Sequence, residues 1–174
     1  MATTVLVSII CPDRIGLISS VTGELFDLGI NLGDTTFAVL GGGAEFTAVC
    51  LLPENITINK LHQELSALHQ LEGSEITITN FDLSLIHGET AHITHRISLK
   101  GGDMPGLIAR LSEVFIQFNA NIVRLNSEGT PGGKNDQYEV RIAAWIPKKS
   151  AKTCLATIAN TAGELQLSCT WDEV

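Results

Sequence analysis

The chain has 174 residues, a net charge of −8 and 44% hydrophobic side chains. That composition describes a globular protein rather than a disordered one, and the acidic balance excludes the clustered basic footprint that nucleic-acid binding requires. No apolar run reaches the ~20 residues of a membrane span and no basic-then-apolar leader opens the chain, so a cytoplasmic protein with no membrane partner is expected.

The predicted elements run in two rounds. The first strand covers about Val5–Ile10, with Val7 and Ile9 on one face. A helix follows from about Ile15 to Leu28, its stripe formed by Ile18, Val21, Leu25 and Leu28,. Gly29 reads as a left-handed stop. Strands over Leu32–Leu40 and Ala44–Leu52 are joined by Gly41-Gly42-Gly43, which reads as a hairpin and not a phosphate cradle, because no helix follows. A second helix, Asn59–Leu71, carries Leu61, Leu65 and Leu68, and a strand over Glu75–Phe81 closes the round.

The second round repeats this order ninety positions later. Ile97 and Leu99 match Val7 and Ile9, and Ile108, Leu111, Phe115 and Phe118 match the helix stripe. Asn119 replaces Gly29, and Asn is the other residue that tolerates left-handed backbone. A longer hairpin loop spans Glu128–Asp136, followed by alternation through Tyr138, Val140, Ile142, Ala144 and Ile146. A helix near Ser150–Thr161 precedes a last strand alternating at Leu165, Leu167, Cys169 and Trp171. A period this long means two copies of one small domain. The order βαββαβ twice predicts an α+β protein of two ferredoxin-like modules, each an antiparallel sheet with helices on one face. The modules are expected at 1–81 and 92–174, with 82–91 as linker.

The copies differ in charge and in one sheet face. Residues 1–81 hold two basic and nine acidic side chains, and residues 92–174 hold nine basic and eight acidic. Away from its helices, copy two shows Arg96, Ser98, Lys100, Gln166 and Ser168. Copy one shows Leu6, Ile10, Val49, Leu51 and Phe81. A solvated face should be polar, so copy one's face is expected to be covered by another chain or by the linker, which implies a homo-oligomer in the first case.

Other signals are set aside. Cys11, Cys50, Cys154 and Cys169 lack paired spacing and read as buried reduced thiols,. His87, His92 and His95 are close in sequence, but no Cys lies near to complete a metal set, so no metal is expected. No nucleophile comes with a base and no paired carboxylates converge, so no catalytic residue, cofactor or enzyme activity is expected.

One motif is written twice: Asp13-Arg14-Ile15-Gly16-Leu17-Ile18 and Asp103-Met104-Pro105-Gly106-Leu107-Ile108. Each copy opens a helix that ends near an Asn-aliphatic pair, Asn31-Leu32 and Asn121-Ile122. The tandem arrangement, with an Asp-x-x-Gly-Leu-Ile turn and an Asn at strand two, resembles the ACT-domain family of small regulatory modules that typically bind amino acids. The tandem form without an attached enzyme is similar to the glycine cleavage system transcriptional repressor group. The resemblance covers nearly the whole chain. Ile15 departs from it where Pro is common, as does Asn119 where Gly is typical.

Helix starts present unpaired N–H groups and a partial positive charge, which suits a carboxylate. Gly16 and Gly106 would let a ligand approach the backbone, and Asn31 and Asn121 each offer a donor and an acceptor. Within one copy the turn and the Asn are expected at the same end of the sheet. The resemblance implies that the turn of one module faces strand two of its neighbour, pairing Asp13-Arg14-Ile15-Gly16 with Asn121, and Asp103-Met104-Pro105-Gly106 with Asn31. A plainer reading stands beside this one. Asp13 and Asp103 would only cap helices, the glycines would only allow close helix–strand packing, and the asparagines would only satisfy turns.

The resemblance therefore implies a non-catalytic sensor. It would bind glycine or a similar small amino acid and modulate a protein partner, a transcription factor of glycine or one-carbon metabolism. The alternative is a regulatory subunit of a biosynthetic or one-carbon enzyme.

Overall fold

Alternation of period two in the opening residues becomes strand β1, Thr3–Pro12, in the computed structural model, which describes residues 3–130 and 137–174. Val5, Val7, Ile9 and Cys11 are buried while their neighbours occupy the opposite face, as the pleat requires. Helix α1 (Leu17–Asp27), strands β2 (Asn31–Leu40) and β3 (Gly43–Leu52), helix α2 (Ile58–Ala67) and strand β4 (Glu75–Asn80) follow. The second round is β5 (His95–Gly101), α3 (Leu107–Gln117), β6 (Asn121–Thr130), β7 (Gln137–Trp145), α4 (Ala151–Glu164) and β8 (Ser168–Glu173).

The βαββαβ order is thus present twice. Both sheets are antiparallel, with strand orders β2-β3-β1-β4 and β6-β7-β5-β8. The chain divides into two compact units between Leu83 and Ser84, within the segment read as a linker. Each unit has its own core. In the first, Val21 and Leu25 of α1 and Leu61 and Leu65 of α2 pack with Val7, Ile9 and Phe46 of the sheet. In the second, Leu111 and Phe115 of α3 and Ile158 of α4 pack with Ile97, Leu99 and Ile142. Full burial of each such side chain stabilises by ~1.5–3 kcal/mol. No helix among the described residues is long and apolar enough to cross a membrane.

The helix stops follow one device. Ile30 N–H donates to Leu25 O at 2.9 Å and Gly29 N–H to Phe26 O at 2.9 Å. Ala120 N–H donates to Phe115 O at 2.9 Å and Asn119 N–H to Ile116 O at 3.1 Å. These are paired Schellman bonds around a left-handed residue, with φ +70° at Gly29 and +54° at Asn119.

Several expected boundaries move. The first helix begins at Leu17, not Ile15, because Gly16 is left-handed and cannot continue it backwards. Leu17 is therefore buried, and Ile18 faces outward at 44% exposure. The second helix ends at Ala67, where Leu68 turns extended before a single 3-10 turn at His69–Leu71. The last helix runs to Glu164 and stops at a third Schellman pair around Gln166, φ +58°. Gln166 thus lies in a helix stop rather than on an alternating strand, and β8 starts only at Ser168. Glu128, Gly129 and Thr130 of the expected long loop belong to β6, and 131–136 lie outside the described residues.

On the open face of the first sheet Leu6 is half-buried and Val49 is buried, while Ile10 (57%) and Leu51 (40%) remain exposed. Leu83, Leu85 and Ile86 of the connecting segment are exposed as well, so the linker does not use these side chains as a cover.

Candidate functional site

Each repeated turn is built around one backbone requirement. Gly16 has φ +85° and Gly106 φ +79°, and among the described residues a Cβ added to either would meet nothing within 4 Å. Close helix–strand packing is therefore not what calls for glycine here. The left-handed conformation calls for it, and the space beside the backbone is open.

The glycines, not the aspartates, occupy the positions before the helices, and no side chain among the described residues caps either helix. The capping reading of Asp13 and Asp103 is overturned, since each stands three residues too early. Leu17 N–H donates to Arg14 O at 3.3 Å and Leu107 N–H to Met104 O at 3.2 Å. The next two amides of each helix, Ile18 and Ser19, then Ile108 and Ala109, have no backbone partner among the described residues. Each turn thus presents two adjacent free donors at the positive end of a helix.

The side chains around the turns have different assignments. Asp13, Ile15, Asp103, Met104 and Pro105 are exposed. Arg14 is engaged elsewhere. Its guanidinium donates to His69 O (2.9 Å), Gln70 O (3.1 Å) and Glu72 O (2.9 Å), fastening the turn to the end of the α2 segment. Cys11 is buried before this turn, where burial pushes its thiol up, against a smaller downward pull from Arg14. Burial pushes Cys50 and Cys154 up to about 11, and all four cysteines are free.

In the second unit the turn borders a hollow of about 240 Å³ lined by residues 103–109 and Tyr138. The alternation of β7 reads Tyr138 as one more core position. The signal that could have singled it out is its register: it pairs with Gly101 on one side and Gly129 on the other, so its ring has no opposing side chain.

The asparagines lie elsewhere than expected. Asn31 pairs with Leu51, which pairs with Thr4 at the start of β1, whereas the turn follows Pro12 at the other end, opposite Gly43. From Thr4 to Pro12 a strand advances roughly 26 Å. The turn and the Asn of one module are therefore at opposite ends of its sheet, because β1 and β2 run in the same direction. Asn31 is exposed and its side chain has no hydrogen-bond partner among the described residues. Asn121 is exposed too, but its Nδ2 donates to Thr90 O at 2.9 Å.

No protein-family model matches the sequence, and no curated protein matches it. Solved structures do. The chain is similar over its whole length to an unknown protein from Galdieria sulphuraria, with TM-score 0.74, 19% identity and coverage of 100% of this chain and 99% of that one. It is similar in the same way to a “putative glycine cleavage system transcriptional repressor”, with TM-score 0.69, 14% identity and coverage of 100% and 98%. An ACT domain protein from Streptococcus pneumoniae matches 46% of this chain and 91% of its own, at 25% identity and TM-score 0.41. The two full-length likenesses agree with the element order: in fold, the chain is a tandem ACT-like protein. It consists of two ACT-like ferredoxin modules in one polypeptide.

Proposed function

We propose that this chain is a non-catalytic regulatory protein. It binds a small amino acid, glycine or one of similar size, and modulates a protein partner, a transcription factor of glycine or one-carbon metabolism. The observation that carries this reading is the duplicated helix entrance, with its left-handed glycine, two free amides and open space. A ligand carboxylate would take the amides of Ile18 and Ser19, or of Ile108 and Ala109. Its ammonium would take the side-chain oxygen of an asparagine.

One module holds its turn and its asparagine at opposite ends, so the asparagine has to come from a neighbouring module. On this reading Asn31 and Asn121 each serve a glycine turn, Asp13-Arg14-Ile15-Gly16 or Asp103-Met104-Pro105-Gly106, of a module other than their own. Arg14 contributes by stiffening its turn and not by touching the ligand. The full-length likeness to a protein described as a transcriptional repressor supports a role in gene regulation, and the net charge of −8 supports action through another protein rather than a direct grip on DNA,. Regulation then requires that the ligand bind one conformational state more tightly than another.

A thermal-shift screen of amino acids tests the binding step. A ligand at a hundred times its dissociation constant stabilises by ~2.7 kcal/mol. The shift should shrink in Asn31→Ala and be lost when Asn121→Ala is added, and Asn31→Ala alone should keep the parent's stability without ligand because its exposed side chain has no hydrogen-bond partner among the described residues. A screen in which no amino acid raises the melting temperature would sink the proposal. Co-purification tests the partner: a DNA-binding regulator supports it, and an enzyme supports the regulatory-subunit alternative.

A further inference from the structure

The second sheet turns a different kind of surface outward. On the face away from α3 and α4, one row across the strands reads Arg124, Ala143, Arg96, Asp172. Ala143 pairs with Arg124 on one side and Arg96 on the other, and Arg96 pairs with Asp172. Strands are spaced ~4.8 Å apart, so the two arginines start roughly 10 Å from each other with only a methyl group between them. They overlook a hollow of about 300 Å³, to which Asn126, Thr170 and a third arginine, Arg141, also contribute. That volume is at the lower end of the small-molecule range.

The three arginines are not equivalent. Arg141 is fixed and neutralised, since its Nε and Nη2 donate to the Glu139 carboxylate at 3.1 and 2.8 Å. Glu139 also accepts from Ser98 Oγ at 3.1 Å and pairs with Lys100 at 3.3 Å. These partners, Arg141 first, hold its carboxyl below the usual carboxylate range. Arg96 and Arg124 are exposed, and neither has a hydrogen bond or ion pair among the described residues. Two like charges flanking a small residue repel each other unless an anion comes between them.

The fold does not demand this pair. In the first module the matching row has Leu6 between Val49 and Thr79. A surface kept polar for solubility alone would scatter its charges and pair them. Here two planar guanidinium forks are left open over one hollow, the geometry suited to bidentate contact with an oxyanion.

We propose that Arg96 and Arg124 form a receptor for a small organic oxyanion, a carboxylate- or phosphate-bearing metabolite, seated over Ala143 on the open face of the second module. Asp172 at the end of the row limits the charge the hollow accepts and turns away polyanions. This site is independent of the glycine turns.

Titration calorimetry on the full chain at constant ionic strength tests the proposal, with inorganic phosphate and malonate as probes, followed by amide chemical-shift mapping. Saturable binding of at least one probe is expected, with shifts gathered at Asn126, Ala143 and Thr170. The tighter probe identifies the phosphate or the carboxylate source. Affinity should fall about tenfold or more in Arg96→Gln and in Arg124→Gln. It should be unchanged in the double variant Lys148→Gln, Lys149→Gln, which removes the same kind of charge elsewhere. Absence of saturable binding for both probes, equal affinity in Arg96→Gln, or shifts gathered at Gly106 instead would each overturn it.

Discussion

At Gly16 and Gly106 a methyl group has room but no relaxed backbone. Alanine there is expected to cost ~1–2 kcal/mol per site, because left-handed backbone crowds an L side chain, even though it would touch none of the described residues. Urea unfolding measures this, and unchanged midpoints would refute the left-handed assignment. The converse applies at Gln166, φ +58°: Gln166→Gly should stabilise by roughly 0.5–1 kcal/mol. These positions also mark how far the sequence could be read. Asn119 is recognisable as a left-handed stop because Asn is a residue that tolerates it and because Gly29 stands at the same place in the first copy. Gln166 carries no such preference, and the spacing of Leu165 and Leu167 imitates a strand. Arg14 looks like a ligand-facing residue of a repeated turn. Its true partners are three carbonyls more than fifty residues away, which no local pattern encodes.

Among the elements, strands are legible wherever one sheet face is buried, because alternation then has a single cause. The helix start is less so: Ile15 and Ile18 extend an apolar pattern although only Leu17 turns inward. The shared end assigned to turn and asparagine fails for a topological reason, since it depends on the direction of β2 within the ladder and not on composition. Two predictions follow at this scale. Arg14→Ala should destabilise the first unit by about 1 kcal/mol, toward the low side for charged hydrogen bonds because solvent screens the fork, with faster amide exchange at residues 69–72. Arg14→Lys should recover little, as one ammonium cannot span three carbonyls. A stability unchanged in Arg14→Ala would remove the fastening role. The second prediction concerns acid. The folded Glu139 carboxyl titrates below its unfolded value, so its contribution is complete above the unfolded pKa of ~4.3 and fades as pH falls through the depressed folded value. Carbon NMR titration of Glu139 should show the depressed midpoint, and Arg141→Gln should raise it. An unmoved midpoint in that variant would contradict the pairing.

For the molecule as a whole, the two modules share a fold and differ in what they show to solvent. The first sheet leaves Ile10 and Leu51 exposed on its open face, and the connecting segment adds Leu83, Leu85 and Ile86. We expect a homo-oligomer that covers the first sheet. Light scattering after size separation should find a multiple of the 18.6 kDa chain mass, and Leu51→Glu should return it to one chain. A monomer at every concentration would refute this. The bond from Asn121 to Thr90 has a consequence for the repeat. The two halves repeat one element order, yet Asn121 holds its own leading segment while Asn31 has no such bond among the described residues. The halves are thus not interchangeable, and a hybrid assembled from two leading halves would lack this tether.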